Sequence, residues 1–169
     1  MSLITNTVLS SFHNDDVGML CRTDPMITVV GKILWERSVR QEKRTTMGEM
    51  RKLGTPLKAA KDISEKDDFT GTDMLHPTNF RTVVEALNFI TAKEDNSIEA
   101  GLKLSLGYLL KKAARFTKCK LIIDGKDEEV KETNFCHCLM DHGDTCSTQP
   151  KYSWNQVEKL LSDVLKIFH

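Results

Sequence analysis

The sequence predicts an all-α fold, a compact multi-helix bundle of about seven helices formed by one domain over residues 1–169. Apolar residues recur at three- and four-residue intervals along most of the chain, which is the period of one helix face. Residues 121–123, Leu-Ile-Ile, are the best candidate for a strand, and they have no second strand with which to pair. A length of 169 residues with 40% hydrophobic residues suits one globular domain with its own core.

The first part of the chain predicts three helices. Residues 4–12 and 15–21 have short helical patterns and follow one another closely. Asp24 is then an N-cap, and Pro25 occupies the first helical position, where its missing N–H costs nothing. Apolar residues at helical spacing continue this third helix to about Arg37.

The next helix is predicted to be amphipathic, with a basic outer face. Its apolar stripe consists of Met47, Met50, Leu53, Leu57 and Ala60. Pro56 is expected to kink or interrupt this helix, because proline removes a backbone donor and crowds the preceding turn. The acidic stretch over residues 62–73 has no sustained period and predicts a surface loop.

Four further helices are predicted after the loop. One opens at His76, followed by proline, and ends before Asp95. The longest and most apolar runs from residue 97 to about 120, and we expect it at the centre of the bundle. Residues 127–139 have an acidic first turn, which suits a helix N-terminus. The last helix starts with a capping-box pattern at 153–156 and continues to the C-terminus.

Cysteine and histidine concentrate near the end of the chain. The residues with the donor types that zinc prefers are Cys136, Cys138, His142 and Cys146. Structural zinc sites usually take ligands from two separated pairs, whereas these residues share one short segment. Gly143 is also expected to end the helix before Cys146. The favoured interpretation is that Cys136 and Leu139 pack inward while His137 and His142 meet solvent, so no metal or cofactor is predicted.

The net charge is zero, but the basic residues are concentrated in two stretches. Eight Lys and Arg face only two acids between residues 37 and 61, and six more lie between 103 and 120 with no acid among them. Two basic helix faces suit the phosphate backbone of nucleic acid. The expected contacts are Arg37, Arg40, Lys43, Arg44, Arg51, Lys52, Lys111, Lys112, Arg115 and Lys118. The residues alone support equally a second interpretation, in which these side chains only solvate the surface and pair with acids such as those at 127–132.

No enzyme motif is present. The sequence has no glycine-rich phosphate loop, no H-E-x-x-H, no G-x-S-x-G and no C-x-x-C, so no small-molecule substrate is predicted. Five cysteines, no N-glycosylation sequon and no signal-like N-terminus favour an intracellular protein, nuclear or cytoplasmic. No apolar run is long enough to cross a bilayer, so no membrane partner is expected.

Several segments in a fixed order resemble a known family. The segments are 15–17, 22–27, 30–34, 47–54, 75–86, 102–114 and 126–135. Together they resemble the helical N-terminal region of transposon-derived proteins related to tyrosine recombinases, of the Crypton type. The resemblance spans about residues 8–162 and rests on helix patterns rather than catalytic signatures.

The resemblance implies a core-binding-like domain that grips one side of duplex DNA, while the chemistry belongs to a following domain with a nucleophilic tyrosine. Neither Tyr108 nor Tyr152 has that context, and the chain stops at His169, so we expect no catalytic residue and no enzymatic activity. The region around 135–142 corresponds to an ordinary helix in the family, which argues further against zinc. The alternatives are a protein-interaction module, in which the C-terminal or long helix forms a homo-oligomer, and a zinc-stabilised module.

Overall fold

The computed structural model describes residues 7–38, 40, 42–94, 99–126 and 128. These residues form α-helices and two short 3-10 turns, at Leu9–Ser11 and Pro77–Asn79, with no β-strand among them. The α-helices are α1 (Asp16–Thr23), α2 (Pro25–Arg37), α3 (Lys43–Ser64), α4 (Gly71–Met74), α5 (Phe80–Thr91) and α6 (Ala100–Ile123). The predicted all-α fold is confirmed. The helices predicted over 127–139 and from 153 onward lie outside the described residues.

Helix α3 takes the central position in this part of the chain. It packs against each of the other five α-helices that the structure describes. Met50, Leu53 and Leu57 of its predicted apolar stripe have no solvent exposure. Among the described helices, the prediction that the long helix, α6, lies at the centre is wrong: α6 packs mainly against α2, α3 and α5, and its Tyr108 is 59% exposed.

Pro56 does not interrupt α3, which runs without a break from Lys43 to Ser64. A proline inside a helix removes one backbone hydrogen bond and costs about 3 kcal/mol. Here Leu53 and Leu57 on either side of it are fully buried, and burying one such side chain contributes roughly 1.5–3 kcal/mol. The burial of both leucines therefore outweighs the cost of the proline, and the helix continues through it.

The predicted acidic loop at 62–73 is shorter than expected. Helix α3 continues through Ser64, and α4 begins at Gly71, so the irregular segment is confined to residues 65–70. Phe69 lies in that segment and is only 5% exposed. Its burial, together with a capping box between Thr70 and Asp73, fixes the end of the segment against the core.

The predicted N-cap at Asp24 is confirmed, and its carboxylate also serves a second helix. One oxygen accepts a hydrogen bond from the backbone N–H of Ile27 at 3.0 Å, at the start of α2. The other accepts from the backbone N–H of Gly71 at 2.7 Å, at the start of α4. Asp24 itself is buried, with 6% of its surface exposed. This side chain therefore connects the N-terminus of α2 to that of α4, through a bond between Asp24 and Gly71 that spans 47 positions in the sequence.

Candidate nucleic-acid interface

The two basic stretches meet at the ring of Phe116. Arg37 is the last residue of α2, and its guanidinium carbon lies 5.0 Å from the centroid of that ring. Lys112 of α6 places its ammonium nitrogen 6.0 Å from the same centroid. Phe116 is 4% exposed, so the two cations lie over the ring of a buried aromatic residue. Attraction between a cation and an aromatic face holds both charges at this junction.

Helix α6 is basic along its outer side and holds no acidic residue between Ala100 and Ile123. Lys111, Arg115 and Lys118 follow one another at intervals of four and three residues, so they share one side of the helix. Lys112 and Arg115 are exposed, and Lys111 and Lys118 are half-buried. No carboxylate within the helix itself therefore neutralises this row of charges.

Arg40 lies in the connection between α2 and α3, Lys43 and Arg44 are the first residues of α3, and all three side chains are exposed, as is that of Arg37. Lys43 and Arg44 begin α3, whose first turn contains no acidic residue and whose N-cap, Glu42, makes no side-chain capping bond. Cations at a helix N-terminus oppose the helix dipole. The positive charges at this end of α3 therefore do not stabilise the helix.

Arg51 and Lys52 instead pair with acidic side chains at the surface. Arg51 makes two hydrogen bonds to the Asp15 carboxylate, at 2.6 and 3.2 Å. The Arg51 hydrogen bonds and a bond from the Gly18 N–H hold the pKa of Asp15 well below its ordinary value. Lys52 pairs with Glu49 at 2.8 Å. These two predicted contacts are therefore matched with acids, and the structure does not group them with Arg37 and Lys112.

A shallow concavity lies beside Lys112, between α3 and α6, with a volume of about 430 Å³. Its lining residues, here called the tyrosine groove, are Glu49, Gly101, Leu104, Ser105, Tyr108, Leu109 and Lys112. Lys111 places its ammonium nitrogen 5.9 Å from the centroid of the Tyr108 ring. This groove was not predicted from the sequence, in which Tyr108 had been considered only as a nucleophile. The available signal was a tyrosine next to two lysines on the outer side of a basic helix.

Two cysteines fall among the described residues, and they differ in environment. Cys21 is fully buried, and burial raises the pKa of its thiol to about 12. Cys119 is exposed on α6. The candidate zinc ligands Cys136, Cys138, His142 and Cys146 lie outside the described residues. Within the described part of the chain, no group of three or more His, Cys, Asp or Glu is arranged to hold a metal ion.

None of the helices in the described ranges is both long enough and apolar enough to cross a bilayer. No family model matches the sequence, and no curated protein or solved structure matches it. The resemblance to the helical region of Crypton-type recombinases therefore stays a prediction.

Proposed function

We propose that this domain binds duplex DNA through the surface where α2 and α6 meet, as the core-binding region of a mobile-element recombinase does, and performs no catalytic step itself. The observation that supports this most directly is the junction at Phe116, where Arg37 lies 5.0 Å and Lys112 lies 6.0 Å from one ring. Two basic stretches that are far apart in the sequence thereby contribute to one surface.

The distribution of charge supports DNA as the partner of this surface. We define the basic surface as Arg37, Arg40, Lys43, Arg44, Lys111, Lys112, Arg115 and Lys118, which are all partly or fully exposed. A protein with zero formal net charge has no general attraction for a polyanion, so such binding must come from a local cluster. Cations placed against phosphates release condensed counterions, which is the main source of affinity for a DNA backbone.

The resemblance supports the same assignment. A core-binding domain contacts the backbone of a duplex with helices, and it contributes position and affinity rather than bond breaking. DNA as the target also favours a nuclear location over a cytoplasmic one.

The test is a salt series with a duplex DNA probe. The double variant Arg37→Gln, Lys112→Gln removes the two cations at Phe116, and each lost phosphate contact should lower the slope of log affinity against log salt by about 0.9. The matched control is Lys58→Gln, Arg81→Gln. Lys58 pairs with Asp62 at 3.1 Å and Arg81 pairs with Glu85 at 2.9 Å, so this control also removes two positive charges, away from the junction.

We expect the slope to fall by about two units in the first variant and to stay unchanged in the control. An equal fall in both would show that only total charge matters and would reject the assigned surface. Absence of any duplex binding at about 50 mM salt would reject DNA binding itself.

One observation favours a second function, protein association. The last turn of α6 exposes two adjacent isoleucines, Ile122 at 52% and Ile123 at 79%. An apolar end on a long helix suits a homo-oligomer contact. Sedimentation would distinguish the two functions, because a stable oligomer that does not shift duplex DNA would favour association.

A further inference from the structure

We infer that the tyrosine groove holds an unpaired DNA base, so that the domain prefers distorted duplex or single-stranded DNA over a regular duplex. This inference rests on the proposed DNA binding and specifies its substrate. The groove shares Lys112 with the junction at Phe116, so a strand whose phosphates contact that junction passes directly beside the groove.

Tyr108 provides a stacking surface. It is 59% exposed although it sits in a helix whose neighbouring Leu109 and Leu110 are buried. An exposed aromatic ring beside cations is the usual means by which proteins bind single strands, since every base has a flat face that stacks on it. Lys111, 5.9 Å from the ring centroid, adds a cation that suits the adjacent phosphate.

The polar residues of the groove match the edge of a base that carries an amino group. Glu49 lines the groove opposite Tyr108 and presents a carboxylate, and Ser105 adds a hydroxyl. A carboxylate accepts hydrogen bonds but cannot donate them, so it suits the amino group of cytosine, adenine or guanine. Thymine offers it only one ring N–H, between two carbonyl oxygens that the carboxylate repels. Lys52 holds Glu49 at 2.8 Å and thereby balances a charge that would otherwise repel phosphate.

The same geometry excludes a base that is still paired. In a regular duplex the faces of each base are covered by its neighbours, and the amino groups of cytosine and adenine are engaged with the partner strand. A base reaches Tyr108 and Glu49 only when it leaves the stack. The groove is open and shallow, so it accepts a base at a bulge or in a single strand.

The experiment compares three fluorescent DNA probes by anisotropy. One is a regular duplex, and the others are the same duplex with one extra cytosine or one extra thymine at the centre. We expect the cytosine bulge to bind roughly tenfold more tightly than the regular duplex, and the thymine bulge to bind less tightly than the cytosine bulge. Tyr108→Ser should remove this advantage and leave binding of the regular duplex within about twofold, whereas Tyr108→Phe should retain it.

Glu49→Gln tests the recognition of the amino group separately. This variant also releases Lys52, which raises affinity for every probe alike, so the measured quantity is the ratio between the cytosine and thymine bulges. That ratio should fall towards one. Circular dichroism of each variant verifies folding. The Tyr108 variants are expected to fold, because this side chain is exposed.

The outcomes separate the two proposals. Equal binding of all three probes, unaffected by Tyr108→Ser, overturns the groove assignment and leaves duplex binding intact. Binding of bulged probes alone, dependent on Tyr108, supports the groove and rejects the duplex surface. Absence of binding to any probe overturns both.

Discussion

Replacement of Asp24 by alanine should destabilise the fold far more than the loss of an ordinary helix cap. The Asp24 carboxylate accepts hydrogen bonds from the backbone N–H groups of Ile27, at 3.0 Å, and Gly71, at 2.7 Å. Both bonds are buried. Alanine leaves two buried donors without acceptors, at the starts of two different helices.

The magnitude follows from these two bonds. A buried donor left without a partner costs about 1–3 kcal/mol, so two such donors cost about 2–6 kcal/mol. Removing a buried charged group recovers part of this, because the native carboxylate had itself been taken out of water. We therefore expect a loss of about 2–4 kcal/mol in the free energy of unfolding. Asp24→Asn retains one carbonyl oxygen and should lose about half as much.

Urea unfolding followed by circular dichroism measures these values, with Glu36→Gln as the control. Glu36 is an exposed acid on the same helix as Ile27, and its nearest cation, Lys32, lies 4.0 Å away, so its loss should change stability by less than about 0.5 kcal/mol. A loss of only about 1 kcal/mol in Asp24→Ala is what a simple N-cap contributes. That result would refute the idea that one carboxylate supports both helices.

Three further predictions concern the packing and titration of α1 against α3. Gly54→Leu should destabilise the protein by roughly 1–3 kcal/mol in the same assay, because even the first added carbon would lie 3.0 Å from Val17 and 3.1 Å from the sulfur of Cys21. Cys21 should resist alkylation in the folded protein at pH 8 and react on unfolding, as measured by peptide mass, since burial raises its pKa to about 12; labelling at the rate of a free thiol would contradict this. The lowered pKa of Asp15 stabilises the fold above the unfolded aspartate pKa of about 3.9, and this contribution is lost as pH falls through the lower folded value. In Arg51→Gln the free energy of unfolding should therefore fall less steeply as the pH decreases from about 4 to about 2. The same slope as in the unmodified protein would argue against the ion pair.

The parts of the fold that the sequence predicted well depend on contacts between residues close in the chain. The start of α2 was correct because an N-cap bond joins Asp24 to Ile27, only three positions away. The course of α3 through Pro56 was not predicted, since proline's effect depends on how deeply the neighbouring turns are buried. The central place of α3 was likewise missed, because apolar content in a helix does not indicate how many other helices surround it.

At the candidate site, too, contacts between distant residues were not predicted from the sequence. Residues 37–61 carry an excess of six positive charges, yet two of these cations pair with acids at the N-terminus of α1. Arg51 meets Asp15 across 36 residues, and Lys58 lies 3.5 Å from Asp16. The charge available to a phosphate therefore depends on which acids the fold brings alongside each cation, and a sum over neighbouring positions overestimates it.

The junction at Phe116 is a feature that the sequence did not predict. Arg37 and Lys112 lie 75 positions apart in the printed sequence, and nothing in either segment indicates that they share one ring. Their proximity arises because α2, which ends at Arg37, packs against α6. The two cations lie 5.0 and 6.0 Å from one ring centroid, so their like charges repel each other, and a bound polyanion reduces this cost. We therefore expect the two cations beside the Phe116 ring to bind a phosphate more readily than the basic residues in the middle of α3. Those residues, Arg51, Lys52 and Lys58, already pair with acids.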